Sequence, residues 1–251
     1  MTSRSARFLL SVAASAAVLL SACSGGGASA PLPTVNINAT PSARPTRPPA
    51  TATPVPSTVP SGPPAGGVAG CPSSEPAPLG KGETRTVTIS TPKGKITIKV
   101  EASLGPIATG NFVALAQCGY YNNVVFHRLV PEFVIQGGDG EFGRVPNVDP
   151  ARVGNGGPGY TIADEPVVGD YVRGAVAMAR TPAPHSQGSQ FFICLTDLTN
   201  GLDKAGGYVI LGHVTAGMEV VDALAAEPNS GPPSNAALNP EPMTSVTVAT
   251  P

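Results

Sequence analysis

The three histidines are the first side chains to weigh for catalysis or metal binding, because imidazole titrates near neutral pH and ligates metals. They stand at positions 127, 185 and 213, far apart and without the spacing of metal ligands. His185 and Ser186 precede Asp197, which resembles the composition of a hydrolytic triad. However, this histidine lies in a proline-rich stretch that lacks the sharp turn exposing a nucleophilic serine. The sequence therefore predicts neither a metal site nor a hydrolase.

A glycine-rich segment at residues 154–159 formally matches the G-x-G-x-x-G pattern of dinucleotide-binding proteins. That pattern needs a strand before it and a helix that opens within it. Pro158 and the sequence Tyr-Thr-Ile at residues 160–162 oppose such a helix. We therefore interpret these glycines as loop residues whose backbone needs positive φ angles.

The segment 126–139 (FHRLVPEFVIQGGD) places a permanent cation, Arg128, among apolar and aromatic side chains. An isolated arginine is usually a solvated surface group. This whole segment, however, resembles the signature of the cyclophilin family of peptidyl-prolyl cis-trans isomerases. The segments 156–160 (GGPGY), followed by Asp164 and Glu165, and 188–193 (GSQFFI) resemble the same family. The resemblance covers residues 83–251.

The resemblance implies a mainly β fold, a closed eight-stranded antiparallel β-barrel capped by two α-helices. The residue patterns lead to a similar count of elements. Period-two alternation predicts a hairpin over residues 86–90 and 96–100. Helical spacing over residues 111–116, which Gly119 ends, and over residues 218–226 predicts two helices. Short apolar runs divided by glycine-rich loops predict further strands, and residues 244–250 predict a closing strand.

The reaction that the resemblance implies is rotation about the X-Pro peptide bond. This rotation is slow because it breaks the resonance of the amide. Arg128 is then the expected catalytic residue, placed against the prolyl carbonyl and nitrogen. Gln136 is expected to hold the substrate backbone and to orient Arg128. No nucleophile, metal, cofactor or proton transfer is required.

The other substrate-binding residues that the resemblance implies fall into two groups. Phe133, Val134 and Phe192 form the expected pocket for the proline ring. Beside them and along the bound peptide we expect Leu202, Tyr208, Ala179, Arg180 and Gln190. Of these, Val134 stands where Met is frequent in the family, Arg180 where Asn is frequent, and Tyr208 roughly where a pocket His often lies.

The N-terminus has the pattern of an export signal. Arg4 and Arg7 precede an apolar run over residues 8–20, which is short for a permanent membrane helix. The following sequence, Leu-Ser-Ala-Cys at residues 20–23, resembles the lipobox of bacterial lipoproteins. We expect a signal peptide over residues 1–22 and acylation of Cys23, which anchors the chain to a membrane. An ordinary signal peptide with an incidental cysteine is the alternative.

A spacer follows at residues 23–80. Fourteen prolines lie between positions 31 and 80, with almost no charge and no aromatic residue, so this segment is predicted to be disordered. The isomerase-like domain is then residues 81–251. Outside the leader and spacer, 11 basic residues face 15 acidic residues, a net charge of −4. This balance argues against nucleic acid as a partner.

Three cysteines remain if Cys23 is acylated. Cys194 lies in a predicted core strand, where a buried thiol is expected. An oxidising compartment permits a disulfide, so we predict that Cys71 pairs with Cys118. Three unpaired thiols are the alternative.

Together these patterns predict a monomeric, extracytoplasmic lipoprotein that is anchored through Cys23. It is expected to isomerise X-Pro bonds in unfolded exported proteins. One alternative is a module that binds proline-containing peptides, or acts as a chaperone, without catalysis. A second is a structural envelope lipoprotein, for which a degraded 126–139 segment would be expected.

Overall fold

The computed structural model describes residues 68–202 and 207–250. The predicted signal peptide, the acylation of Cys23 and most of the predicted spacer lie outside the described residues.

The first two strands form an antiparallel hairpin. Strand β1 (Thr84–Thr91) pairs along its whole length with β2 (Gly94–Glu101). Gly94 has a φ of 136°, a backbone conformation that residues other than glycine rarely adopt. The apolar residues of both strands alternate onto one buried face, which consists of Val87, Ile89, Ile96, Ile98 and Val100. The predicted hairpin is therefore present in the structure.

Helix α1 (Pro106–Gln117) follows the hairpin and is buried around most of its surface, with Phe112 and Leu115 in the main core. Proline suits the first turn of a helix because its missing N–H would have no partner there. Both carboxylate oxygens of Glu165 accept hydrogen bonds, 2.8 Å each, from the N–H groups of Ile107 and Ala108. Gly119, with a φ of 80°, follows the helix, as the sequence predicted.

Seven further strands complete one sheet in which all pairings are antiparallel. They are β3 (Val124–Val130), β4 (Val134–Gly137), β5 (Ala175–Met178), β6 (Phe191–Cys194), β7 (Ile210–Ala216), β8 (Pro242–Met243) and β9 (Ser245–Ala249). The order across the sheet is β8-β3-β4-β6-β5-β7-β2-β1-β9. The last two strands are consecutive in the chain and pair with opposite ends of the sheet, so it curls into a nearly closed barrel.

The described residues therefore contain nine strands where the sequence predicted about eight. The predicted closing strand at residues 244–250 corresponds to β9, and the additional strand is the two-residue β8 just before it. The N–H of Thr244 donates to the carbonyl of Ser90, while β8 pairs with β3 and β9 with β1. Besides α1, the structure contains a one-turn helix α2 (Thr199–Leu202) and helix α3 (Met218–Ala225).

The segment from Val68 to residue 80, here called the strap, lies against α1. It belongs to the stretch that the sequence assigned to the spacer. The sulfur atoms of Cys71 and Cys118 form a disulfide bond. The N–H of Leu79 donates to the carbonyl of Pro106, and a Glu75 carboxylate oxygen accepts from the N–H of Ala163.

Gly110 allows the strap to approach α1 closely. A Cβ at this position would lie 2.4 Å from the carbonyl oxygen of Ala77, well inside van der Waals contact. The strap therefore depends on this glycine as well as on the disulfide.

Among residues 68–202 and 207–250, no helix has the length and apolar character to cross a membrane.

Candidate active site

Three of the predicted site residues form one row across neighbouring strands. Arg128 on β3 is paired with Gln136 on β4, which is paired with Phe192 on β6. Directly opposed residues of antiparallel strands project their side chains from the same face. The sequence could not show this row, because the three residues come together only through strand pairing.

The row forms the floor of a cavity of about 250 Å³. Every predicted substrate-binding residue except Gln190 lines this cavity together with Arg128. The lining consists of Arg128, Phe133, Val134, Gln136, Ala179, Arg180, Phe192, Leu202 and Tyr208. Gln190 lies in an adjoining cavity of about 520 Å³, to which Gln136, Ala179 and Arg180 also contribute.

Arg128 is half-buried at one side of the smaller cavity. Its Nη1 donates to Oε1 of Gln136 at 3.3 Å. Burial lowers the pKa of Arg128 from its usual value, and Tyr208 opposes this effect. Arginine nevertheless stays protonated at neutral pH, because its usual pKa is so high. The cavity therefore contains a fixed cation with donor groups beyond the one bonded to Gln136.

The opposite part of the cavity is apolar and aromatic. Val134, Phe192 and Leu202 are almost completely buried. The rings of Phe192 and Tyr208 meet edge to face, with centroids 5.3 Å apart and planes at 86°. Such a geometry is the favourable one for two aromatic rings. This wall can hold an apolar ring of the size of proline.

Tyr171 positions the Tyr208 wall, and sequence reasoning missed it. Its ring is fully buried, and its hydroxyl both donates to the carbonyl of Tyr208 and accepts from the N–H of Tyr208. A tyrosine in a loop gave no signal of this role. Only the packing of the 171 and 208 segments brings these groups together.

Arg180 lies where the two cavities meet. Its Nε and Nη2 donate to the carbonyls of Thr181 and Ala183, and its Nη1 lies 3.7 Å from a carboxylate oxygen of Asp164. The pKa of Asp164 lies below its usual value, chiefly because the N–H of His185 donates to its carboxylate. Arg180 is thus held by its own loop.

His127 does not contribute to either cavity. The ring is buried, and burial lowers its pKa to about 4; the charge of Arg128 adds to this effect and that of Asp139 opposes it. The ring is therefore neutral at physiological pH and is turned away from the site.

In the described part of the chain, no group of three or more His, Cys, Asp or Glu side chains could hold a metal ion.

Residues 86–249 match the family described as cyclophilin type peptidyl-prolyl cis-trans isomerase/CLD. The chain belongs to this family. Among its relatives is a probable peptidyl-prolyl cis-trans isomerase of Brucella abortus (strain 2308), 35% identical over 169 residues, which are 65% of this chain and 82% of the relative. Isomerase cyp18 of Streptomyces antibioticus is 35% identical over 144 residues, 55% of this chain and 82% of the relative.

Solved structures agree with this family assignment. A cyclophilin-type isomerase of Cryptosporidium parvum has a TM-score of 0.56 and 30% identity, and the match covers 67% of this chain and 99% of that one. A second structure of that protein was determined in the presence of the dipeptide Ala-Pro, with a TM-score of 0.55 and 31% identity over 66% of this chain and 99% of that one. This cyclophilin is therefore an enzyme of the isomerase class with a nearly closed β-barrel.

Proposed function

We propose that Arg128 is the catalytic residue of this cyclophilin and that the cavity of about 250 Å³ receives the proline ring of the substrate. The observation that carries the proposal is the row of Arg128, Gln136 and Phe192 across three paired strands. It sets a permanent cation and an apolar wall on the same face of the sheet. A catalyst of X-Pro rotation needs both groups.

The need for a cation follows from the electronic change during rotation. In the planar amide, the nitrogen lone pair is delocalised onto the carbonyl. Twisting the bond returns this electron density to the nitrogen, which becomes a better hydrogen-bond acceptor than in either planar state. A guanidinium donor at this place therefore binds the twisted state more strongly than the ground states, which lowers the barrier.

The apolar wall contributes in a second way. The twisted amide is less polar than the planar one, so an environment that excludes water favours it. Phe133, Val134 and Phe192 supply such an environment. Burial also strengthens the interaction between the guanidinium of Arg128 and the imide nitrogen, because water no longer screens it.

The remaining lining residues suit an extended peptide. Gln136 has an Nε2 group that donates to Gln190 and, with its second hydrogen, can donate to a substrate carbonyl. The backbone groups of Ala179 and Arg180 lie at the junction of the cavities, where an added strand can pair with them. The site can thus hold the substrate peptide on both sides of the proline.

The test is isomerisation of a short X-Pro reporter peptide by the mature chain, with Arg128→Ala prepared alongside. We expect the variant to lose roughly 10²- to 10³-fold in kcat/KM, as when one charge-stabilising donor is removed from an active site. Arg85→Ala is the matched control, because within residues 68–202 and 207–250 the Arg85 side chain bonds only Thr84 and Glu83, and it lies in neither cavity. This control should retain full activity.

Full activity of Arg128→Ala would refute the assignment of the catalytic residue. A wild-type chain that binds proline-containing peptides but does not accelerate their isomerisation would instead support the binding-module alternative.

We further propose that the enzyme acts outside the cytoplasm, on exported proteins, as a lipoprotein anchored through Cys23. The N-terminal pattern supports this proposal, and so does the disulfide between Cys71 and Cys118, since disulfides persist in oxidising compartments. Membrane fractionation of cells that express the wild type and Cys23→Ser tests it. The wild type should sediment with membranes and the variant should not, whereas equal sedimentation of both would contradict it.

A further inference from the structure

A chain of hydrogen bonds that all point in one direction begins at Arg128. Nη1 of Arg128 donates to Oε1 of Gln136 at 3.3 Å, and Nε2 of Gln136 donates to Oε1 of Gln190 at 3.0 Å. Nε2 of Gln190 then donates to the carbonyls of Gly154 and Gly156, both at 2.9 Å. At each step the side chain accepts on one side and donates on the other.

The chain ends at a buried carboxylate. The N–H groups of Gly154 and Gly156 donate to Oδ2 of Asp139 at 2.7 and 3.0 Å. Oδ1 of Asp139 accepts from the N–H groups of Glu141 and Phe142 at 3.1 and 3.0 Å. Asp139 is completely buried. Its charge is thus stabilised by four backbone donors.

The loop at residues 154–156 fits closely around this carboxylate. A Cβ at Gly156 would lie 2.4 Å from Oδ1 of Asp139, so only glycine allows the approach. The neighbouring His127 is neutral at physiological pH, because burial lowers its pKa to about 4. No cation within the described residues forms an ion pair with Asp139, so backbone N–H groups hold its carboxylate.

We propose that Asp139 is a positioning residue for catalysis, the anionic end of a chain that begins at the cation Arg128. Its carboxylate fixes the backbone of residues 154–156 through the N–H groups of Gly154 and Gly156, and the carbonyls of the same two residues then fix the side-chain amide of Gln190. Gln190 in turn fixes the amide of Gln136, so that Gln136 presents its oxygen, and not its NH₂ group, to Arg128. The side-chain links from Arg128 through Gln136 and Gln190 to the loop carbonyls share one donor direction, so they polarise and strengthen one another.

The proposal rests on the proposed catalytic role of Arg128, and it predicts an effect on rate from a residue that lies in neither cavity. Asp139→Asn keeps the size of the side chain but replaces one acceptor oxygen with an NH₂ group that faces backbone donors. The misaligned chain should lower kcat/KM of the mature enzyme roughly tenfold, the rate equivalent of one lost charged hydrogen bond.

A double-mutant cycle with Gln190→Leu separates positioning from a general structural effect. Gln190→Leu breaks the chain in its middle, so it should lower kcat/KM by a similar factor. If both act through Arg128, the double variant should lose roughly tenfold in total and not a hundredfold. The free energies of unfolding of the same variants, measured alongside, should show that Asp139→Asn still destabilises the Gln190→Leu protein.

Thr109→Val is the matched control. It removes a buried hydroxyl from α1 that donates to the carbonyl of Gly105, and neither residue belongs to the hydrogen-bond chain from Arg128 to Asp139. It should retain wild-type kcat/KM. Unchanged kcat/KM in Asp139→Asn, or additive losses in the cycle, would overturn the proposal.

Three further outcomes are distinguishable. If Asp139→Asn does not fold, wild-type kcat/KM in Gln190→Leu still overturns the proposal, since it excludes any action through the hydrogen-bond chain. If Arg128→Ala is fully active, the assignment of the catalytic residue fails first, and the proposed role of Asp139 fails with it. If Arg128→Ala loses activity while the other variants do not, only the role of Asp139 is wrong.

Discussion

Replacing both Cys71 and Cys118 with serine should lower the free energy of unfolding by about 4 kcal/mol. The disulfide closes a loop with a sequence separation of 47 residues. In the chain-entropy treatment, removing such a crosslink raises the conformational entropy of the unfolded chain by about 2.1 + 1.5R ln 47 cal/mol/K. At 25 °C this entropy corresponds to a free energy of about 4 kcal/mol. The loss of stability therefore comes mainly from the higher entropy of the unfolded state.

The assay is urea unfolding of the mature chain with and without the two substitutions. Wild-type protein treated with reductant should become as unstable as the double variant, which itself should not respond to reductant. Isomerase activity should be unchanged, because neither cysteine lines the two cavities. A stability difference below about 1 kcal/mol would refute the entropic reasoning. A parallel loss of activity would show that the strap supports the site.

Other predictions concern groups that the fold buries or caps. The pKa of His127 falls from 6.5 to about 4 on folding, so the unfolded state binds the extra proton first as the pH drops. Stability should therefore decrease between pH 6.5 and pH 4, by up to about 3 kcal/mol, and pH-dependent unfolding of His127→Asn should lack this component. Glu165→Ala should destabilise the protein by about 1 kcal/mol in thermal unfolding, because two N–H groups of α1 lose their acceptor. Tyr171→Phe should raise KM for proline peptides more than it lowers kcat, because it loosens the Tyr208 wall; an unchanged KM would contradict this role.

Local patterns in the chain already predicted much of the fold. The alternation of apolar and polar residues predicted the β1–β2 hairpin. Helical spacing and the stop at Gly119 predicted α1, and the apolar face of residues 218–226 predicted α3. The closing strand at residues 244–250 was predicted and is present as β9, whereas β8 at residues 242–243 was not predicted, since it forms only by pairing with the distant strand β3. Such pairing depends on barrel closure, which no local pattern encodes.

The site shows the same division. The 126–139 segment resembles the family signature, and this resemblance predicted Arg128, Phe133 and Gln136 as site residues, although it did not show that Arg128 and Gln136 are paired across β3 and β4. The clamp by Tyr171, the anchoring of residues 154–156 on Asp139 and the docking of the strap were decided only by the tertiary structure. The hydrogen bonds and the disulfide that make these contacts join residues that are 15 to 88 positions apart in the sequence. The composition of these segments indicates loops and spacer, whereas their hydrogen bonds and disulfide exist only once the barrel brings their partners within reach.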